Sequence, residues 1–167
     1  MCIRDSADPL KWALDQVNDV PELSWKGKIY SEKELRKHYR DWVYGDRKVL
    51  RKKYKDNKTL YKTHKDILRH KTGQKFWESL EISIRHNEGI NSTSPVLAKL
   101  WMFWGNFFAI SEKDFLANYS TGAYQREIIR PNLNQSFEKM VYDVTTSWAM
   151  IHPVSYTHLR AHETLAD

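Results

Sequence analysis

The stretch Pro95–Ser111, PVLAKLWMFWGNFFAIS, limits the fold of this chain more than any other. Ser94-Pro95 is a helix-start signal, because proline loses nothing at the first helical position, where its missing N–H has no partner to bond. From Val96 to Ile110 the apolar side chains fall at nearly every angle around a 3.6-residue period, not along one stripe. A helix of that kind belongs in a core, so the rest of the chain must supply elements to cover it. Two residues interrupt the pattern. Gly105 costs about 1 kcal/mol against alanine inside a helix and points to a close approach by backbone or ligand. Asn106 carries an amide whose burial without partners costs roughly 1–3 kcal/mol, so it calls for a specific hydrogen-bond partner. A satisfied asparagine at a helix-packing contact accounts for the pair, and so does a polar pocket.

The flanking sequence supplies helices. Asp8 is an N-cap candidate with Pro9 behind it, and Leu10, Ala13, Leu14 and Val17 make a 3,4-spaced stripe. Ser31 and Glu34 form a capping-box pattern ahead of Leu35, Tyr39, Trp42 and Val43. Val49, Leu50, Tyr54, Tyr61, Ile67 and Leu68 keep near-helical spacing through a basic stretch, and Phe76, Trp77, Leu80 and Ile84 mark another helix. After the apolar segment, EKDFLANYSTG reads as a loop and AYQREIIR as a short helix stopped before or at Pro131. Phe137, Met140, Val141, Val144 and Trp148 share the face of a closing helix. Alternating Val/Ile/Thr runs with hairpin turns are missing. The expected class is all-α, an irregular multi-helix fragment of a larger helical domain with few or no strands.

Composition narrows the functional classes. With 41% hydrophobic residues, 13% aromatic residues and seven tryptophans in 167 residues, the chain can build a core, and disorder is not expected. No apolar run reaches the roughly 18–20 residues of a membrane span. Twelve lysines and arginines against two aspartates lie between Arg47 and Lys75, within a chain of net charge +6. That segment can contact phosphates, with Tyr54 and Tyr61 available for stacking. The same tyrosines also complete an apolar helical face, and lysines are what a solvated face ordinarily carries. No P-loop, zinc-finger spacing, GxSxG or HExxH pattern occurs. His38, His64, His70, His86 and His152 stand outside any Cys/His cluster, so no metal site and no cofactor are expected among them. In GAYQREIIRPN, Arg126 and Arg130 are one helical turn apart around Glu127. They can form a fork for a carboxylate or phosphate, or an ordinary ion-pair network on a helix surface.

These stretches, in this order, resemble the bacterial family of uncharacterised proteins known as DUF1800. Its pattern is Trp-His-Asn-His-Phe with a small residue, Val and Ser, then Lys, then Gly-x-Tyr-x-Arg-x-x-Ile-Arg-Pro, then a helix led by Phe. The matching residues are Trp104, Asn106, Phe108, Ile110, Ser111, Lys113, Gly122, Tyr124, Arg126, Ile129, Arg130, Pro131 and Phe137. DPLKWALDQV and SWAMIH resemble the family's opening and closing segments. Gly105 and Phe107 stand where the family has two histidines, and Asn132 where a histidine often follows Arg-Pro, which removes the imidazoles a metal or acid–base role would need. The resemblance implies export to the periplasm or beyond and, as a partner, the sulfatase-like family often encoded alongside. It implies no activity.

The two ends differ in kind. MCIRDS and VSYTHLRAHET resemble translated sequencing-library linkers. Residues 1–6 and 154–167 are accordingly set aside, leaving 7–153 as a partial helical domain. His158 and His162, four apart as in a helical zinc site, fall in the set-aside tail, and Cys2 in the set-aside start. The expected function is a structural or binding module, with a polar or anion-binding group of Asn106, Lys113, Arg126 and Arg130. An enzyme with catalytic residues partly in missing sequence is the alternative, and nucleic-acid binding through 47–75 comes third. A fragment should also leave apolar surface bare on the Trp101–Phe108 helix or its neighbours.

Overall fold

The computed structural model describes residues 7–110 and 117–151. Among them every regular element is helical. Helix α1 (Pro9–Asn18) begins as the sequence predicts, with the Lys11 N–H donating to Asp8 at 2.9 Å and Pro9 in the first turn. Its stripe is only partly covered, with Ala13 and Val17 half-buried while Leu10 is 70% and Leu14 54% exposed. The helix docks on α6 (Pro95–Phe107). There Gln16 accepts the Val96 N–H at 3.1 Å, satisfying one of the donors a helix start leaves unpaired.

Helix α2 (Glu32–Arg40) carries the expected capping box at Ser31 and Glu34. It continues through a π-helical stretch, Asp41–Asp46, into α3 (Arg47–Lys53). The basic region is therefore not one helix. A turn closed by Asn57, which accepts the Leu60 N–H at 3.0 Å, leads to α4 (Lys58–Lys71), and Val49 and Ile67 face solvent. Helix α5 (Gln74–Asn91) follows.

The second half departs from expectation at three places. Residues 117–122, expected in a loop, belong to α7 (Ala117–Tyr124), because fully buried Tyr119 and Ala123 join Leu35, Trp42 and Trp77 in one cluster. Pro131 does not halt the chain as a breaker. Helix α7 runs on through a π-helical turn, Gln125–Ile129, into a 3-10 turn, Arg130–Asn132, whose early position suits a residue without an N–H. Helix α8 (Phe137–Thr146) breaks at Ser147, whose hydroxyl donates to the Val144 carbonyl at 2.7 Å, and residues 148–151 are helical again, so the closing helix is interrupted where one continuous run was predicted.

A second cluster gathers Leu97, Trp101, Ile110, Tyr124, Ile129, Leu133, Met140 and Val144. The continuous path of α7 and its π turn thus feeds both clusters. Helix α6 is covered on only part of its circumference. Leu97, Ala98, Trp101 and Gly105 are buried, while Phe103 and Phe107 are 56% and 63% exposed, so the helix is not enclosed all round and carries the bare apolar surface expected on the Trp101–Phe108 stretch.

Candidate functional site

The buried face of α5 is Gln74, Trp77, Glu81, Ile84 and Glu88, a 3,4-spaced stripe with two carboxylates in it. Carboxylates are buried only when paired. The partners come from the π turn after α7 and the 3-10 turn that follows it. Arg126 donates from Nε to Glu81 Oε2 at 2.9 Å and from Nη2 to Oε1 at 2.7 Å, a bidentate pair, and Nη2 also reaches the Tyr30 carbonyl at 2.8 Å. Two turns along α5, Arg130 Nη2 donates to Glu88 Oε1 at 3.2 Å. Glu88 further accepts the Ser24 N–H at 2.9 Å and the Ser24 hydroxyl at 2.8 Å. Burial pushes the Glu88 carboxyl up, but the Ser24 hydrogen bonds and Arg130 outweigh it and leave it below its ordinary value.

Gly122 makes this clamp possible. A Cβ there would overlap Cβ, Cγ and Oε2 of Glu81, so only a glycine lets α7 approach α5 this closely. Tyr124, two residues on, donates its hydroxyl to the Phe108 carbonyl at 3.1 Å. The Gly-x-Tyr-x-Arg spacing therefore sets a helix contact, an anchor to the end of α6 and an ion pair in succession.

Beside the clamp lies a cleft of about 240 Å³ whose lining includes Glu78, Glu81, Arg85, Gly105, Asn106 and Gln125. Half-buried Arg85 spans it. Nη1 donates to Gln125 Oε1 at 3.1 Å, and Nη2 to Asn106 Oδ1 at 2.9 Å and to the Met102 carbonyl at 3.3 Å. Gln125 is itself fixed, its Nε2 donating to the Gly105 carbonyl at 3.2 Å and its own carbonyl accepting Trp101 Nε1 at 2.8 Å. The Gln125 carboxamide lies 3.2–3.4 Å from where a Gly105 Cβ would stand, so the close approach at the glycine is made by a side chain and not by the backbone or ligand expected. Glu81 is neutralised by Arg126 and Glu78 by Lys75 at 2.6 Å, whereas the three acceptors of Arg85 are uncharged. Desolvation is the one influence on its guanidinium and pulls it down from its ordinary value. The cleft keeps a fixed positive charge aimed by neutral groups.

The four residues singled out from the sequence do not meet at one point. Asn106 lines the cleft, exposed rather than buried, and its partner is Arg85. Arg126 reaches the cleft only through Glu81, and Arg130 is engaged two turns away with Glu88. Lys113 lies outside the described residues, as do Cys2, His152, His158 and His162. Arg85 and Gln125 went unnoticed. The apolar stripe expected there, Phe76, Trp77, Leu80 and Ile84, does not include Arg85, and nothing local in the sequence marks Gln125. His38 and His64 are packing residues, stacked on Trp77 at 4.2 Å and on Tyr54 at 4.5 Å. Among the described residues no group of three or more His, Cys, Asp or Glu could hold a metal ion, and no helix is long and apolar enough to cross a membrane.

A family model described as a protein of unknown function, DUF1800, matches residues 7–152. No curated protein and no solved structure matches the chain.

Proposed function

The chain belongs to the DUF1800 family of proteins of unknown function, and we propose that it is a helical binding module whose Arg85–Asn106–Gln125 cleft takes the anionic group of a small molecule. Arg126 and Arg130 act behind that cleft, organising the core that holds it. The observation that carries this is the Arg85 guanidinium. It is held in place by three neutral oxygens, with two of its five N–H donors left for a ligand. With both Nη2 hydrogens engaged, what remains is the Nε and one Nη1 N–H, which suit single charge-assisted hydrogen bonds to a carboxylate or phosphate oxygen and need no rearrangement to make them. The volume suits a compact metabolite rather than a drug-sized molecule.

Titration calorimetry with succinate, acetate and inorganic phosphate tests this. Binding of at least one is expected, with Arg85→Gln weakening it by roughly ten- to a hundredfold, the worth of hydrogen bonds to a charged group. Lack of heat with all three probes, or equal affinity in R85Q, would remove the cleft from consideration.

A further inference from the structure

The cleft that holds Arg85 is not polar throughout. Helix α5 lines it with Glu78, Glu81, Ile82 and Arg85, so one face of that helix runs along the cleft for about 10 Å from Glu78 to Arg85. Arg85, bonded to Asn106 and Gln125, makes one polar end. Three residues back on the same face, Ile82 is 47% exposed. Ala109 and Ile110, which follow the end of α6, line the same cleft. Gly122 adds to the lining from α7 and brings no side chain of its own. Glu81 lies here too, but both of its oxygens are taken by Arg126. Aliphatic groups therefore share the concavity with a fixed guanidinium, and one of them is left half bare.

The charges select the head group. Arg85 is the one base among the lining residues, and a single guanidinium balances a single negative charge. A second negative charge on the ligand would face Glu78 and Glu81. Their carboxylates line the cleft, whereas the bases paired with them, Lys75 and Arg126, are outside the lining. Phosphate and dicarboxylates are disfavoured on that ground. The rest of the ligand is selected by Ile82, Ala109 and Ile110. An alkyl chain laid along them leaves water together with the isoleucine it covers, which further polar groups would not achieve.

We propose that the cleft takes a monocarboxylate with a short aliphatic chain, its carboxylate on Arg85 and its chain along Ile82 and Ala109. This rests on the anion-binding reading of the same cleft and adds to it the class of molecule bound.

Chemical-shift titration of the chain with acetate, butyrate, hexanoate, succinate and inorganic phosphate is the test. Affinity should rise from acetate to hexanoate by about two- to fourfold per methylene, the worth of partial to full burial. Butyrate should bind more tightly than succinate, which carries a second carboxylate in place of the methyl group. Arg85→Gln should weaken acetate and hexanoate by the same factor, whereas Ile82→Ser should lower the hexanoate-to-acetate ratio about threefold or more. Circular dichroism checks that I82S keeps its helices, and the ligand series on the parent chain carries the test alone if it does not. Acetate and hexanoate binding equally, or succinate or phosphate binding more tightly than butyrate, would overturn the proposal while leaving the cleft an anion site. A hexanoate-to-acetate ratio unchanged in folded I82S would overturn it as well. Shifts with none of the five probes would remove both readings of the cleft.

Discussion

Replacing Arg126 with methionine removes the guanidinium that meets both oxygens of Glu81 while keeping most of the aliphatic stem. Both side chains are almost dry, at 5% and 7% exposure, so water cannot take over the lost role. The change deletes two charge-assisted hydrogen bonds to Glu81 and one to the Tyr30 carbonyl. Breaking one side of a buried pair costs about 3–5 kcal/mol, mostly because a carboxylate is stranded. For a domain of about 150 residues that lowers Tm by roughly 6–20 °C. Pairing the change with Glu81→Met should restore most of the loss, because a buried ion pair exchanged for apolar groups of similar volume is often neutral. Methionine also keeps the Cβ and Cγ that lie against Gly122. Urea unfolding followed by far-ultraviolet circular dichroism measures all three proteins. A single-variant loss below about 1 kcal/mol would mean the pair behaves as an exposed one. A double variant no more stable than R126M would show that stranded charge is not the cost.

Two further outcomes follow from the same contact. Gly122→Ala should destabilise by about 1–3 kcal/mol through overpacking against Glu81, although alanine in an unconstrained helix gains about 1 kcal/mol over glycine; denaturant unfolding gives the sign directly. Glu88 has its folded-state value depressed, so its contribution is complete above the unfolded carboxylate value of about 4.3 and is lost as pH falls through the lower folded value. Thermal unfolding from neutral to acid pH should therefore show a limb that Glu88→Gln flattens, and an identical limb in that variant would exclude Glu88 as its source.

Helix caps were legible because they are local. Asp8, Ser31 and Glu34 do what their spacing says. The loop expected before Tyr124 failed for a nonlocal reason, since small and polar residues such as Ser120 and Thr121 give α7 little apolar signal. Tyr119 and Ala123 become core only because α2 and α5 close around them. The face of α5 was misread similarly. Counting apolar residues selected Phe76, which is 39% exposed, and passed over Glu81 and Glu88, which are buried. A buried carboxylate is invisible in its own helix, because the arginine that permits it lies more than 40 residues away, at position 126 for Glu81 and 130 for Glu88.

That nonlocal clamp also joins the two motifs seen separately in the sequence. Gln125 immediately precedes Arg126 in the π turn, so seating Arg126 on Glu81 fixes where Gln125 can reach. Its carbonyl accepts from Trp101 and its side chain bridges the Gly105 carbonyl and Arg85. An alanine at position 105 would press on that carboxamide. The glycine beside Asn106 and the arginine one helical turn before Arg130 are thus parts of one device. The buried ion pair holds the turn, the turn holds the glutamine, and the glutamine with Asn106 holds the Arg85 guanidinium at the cleft.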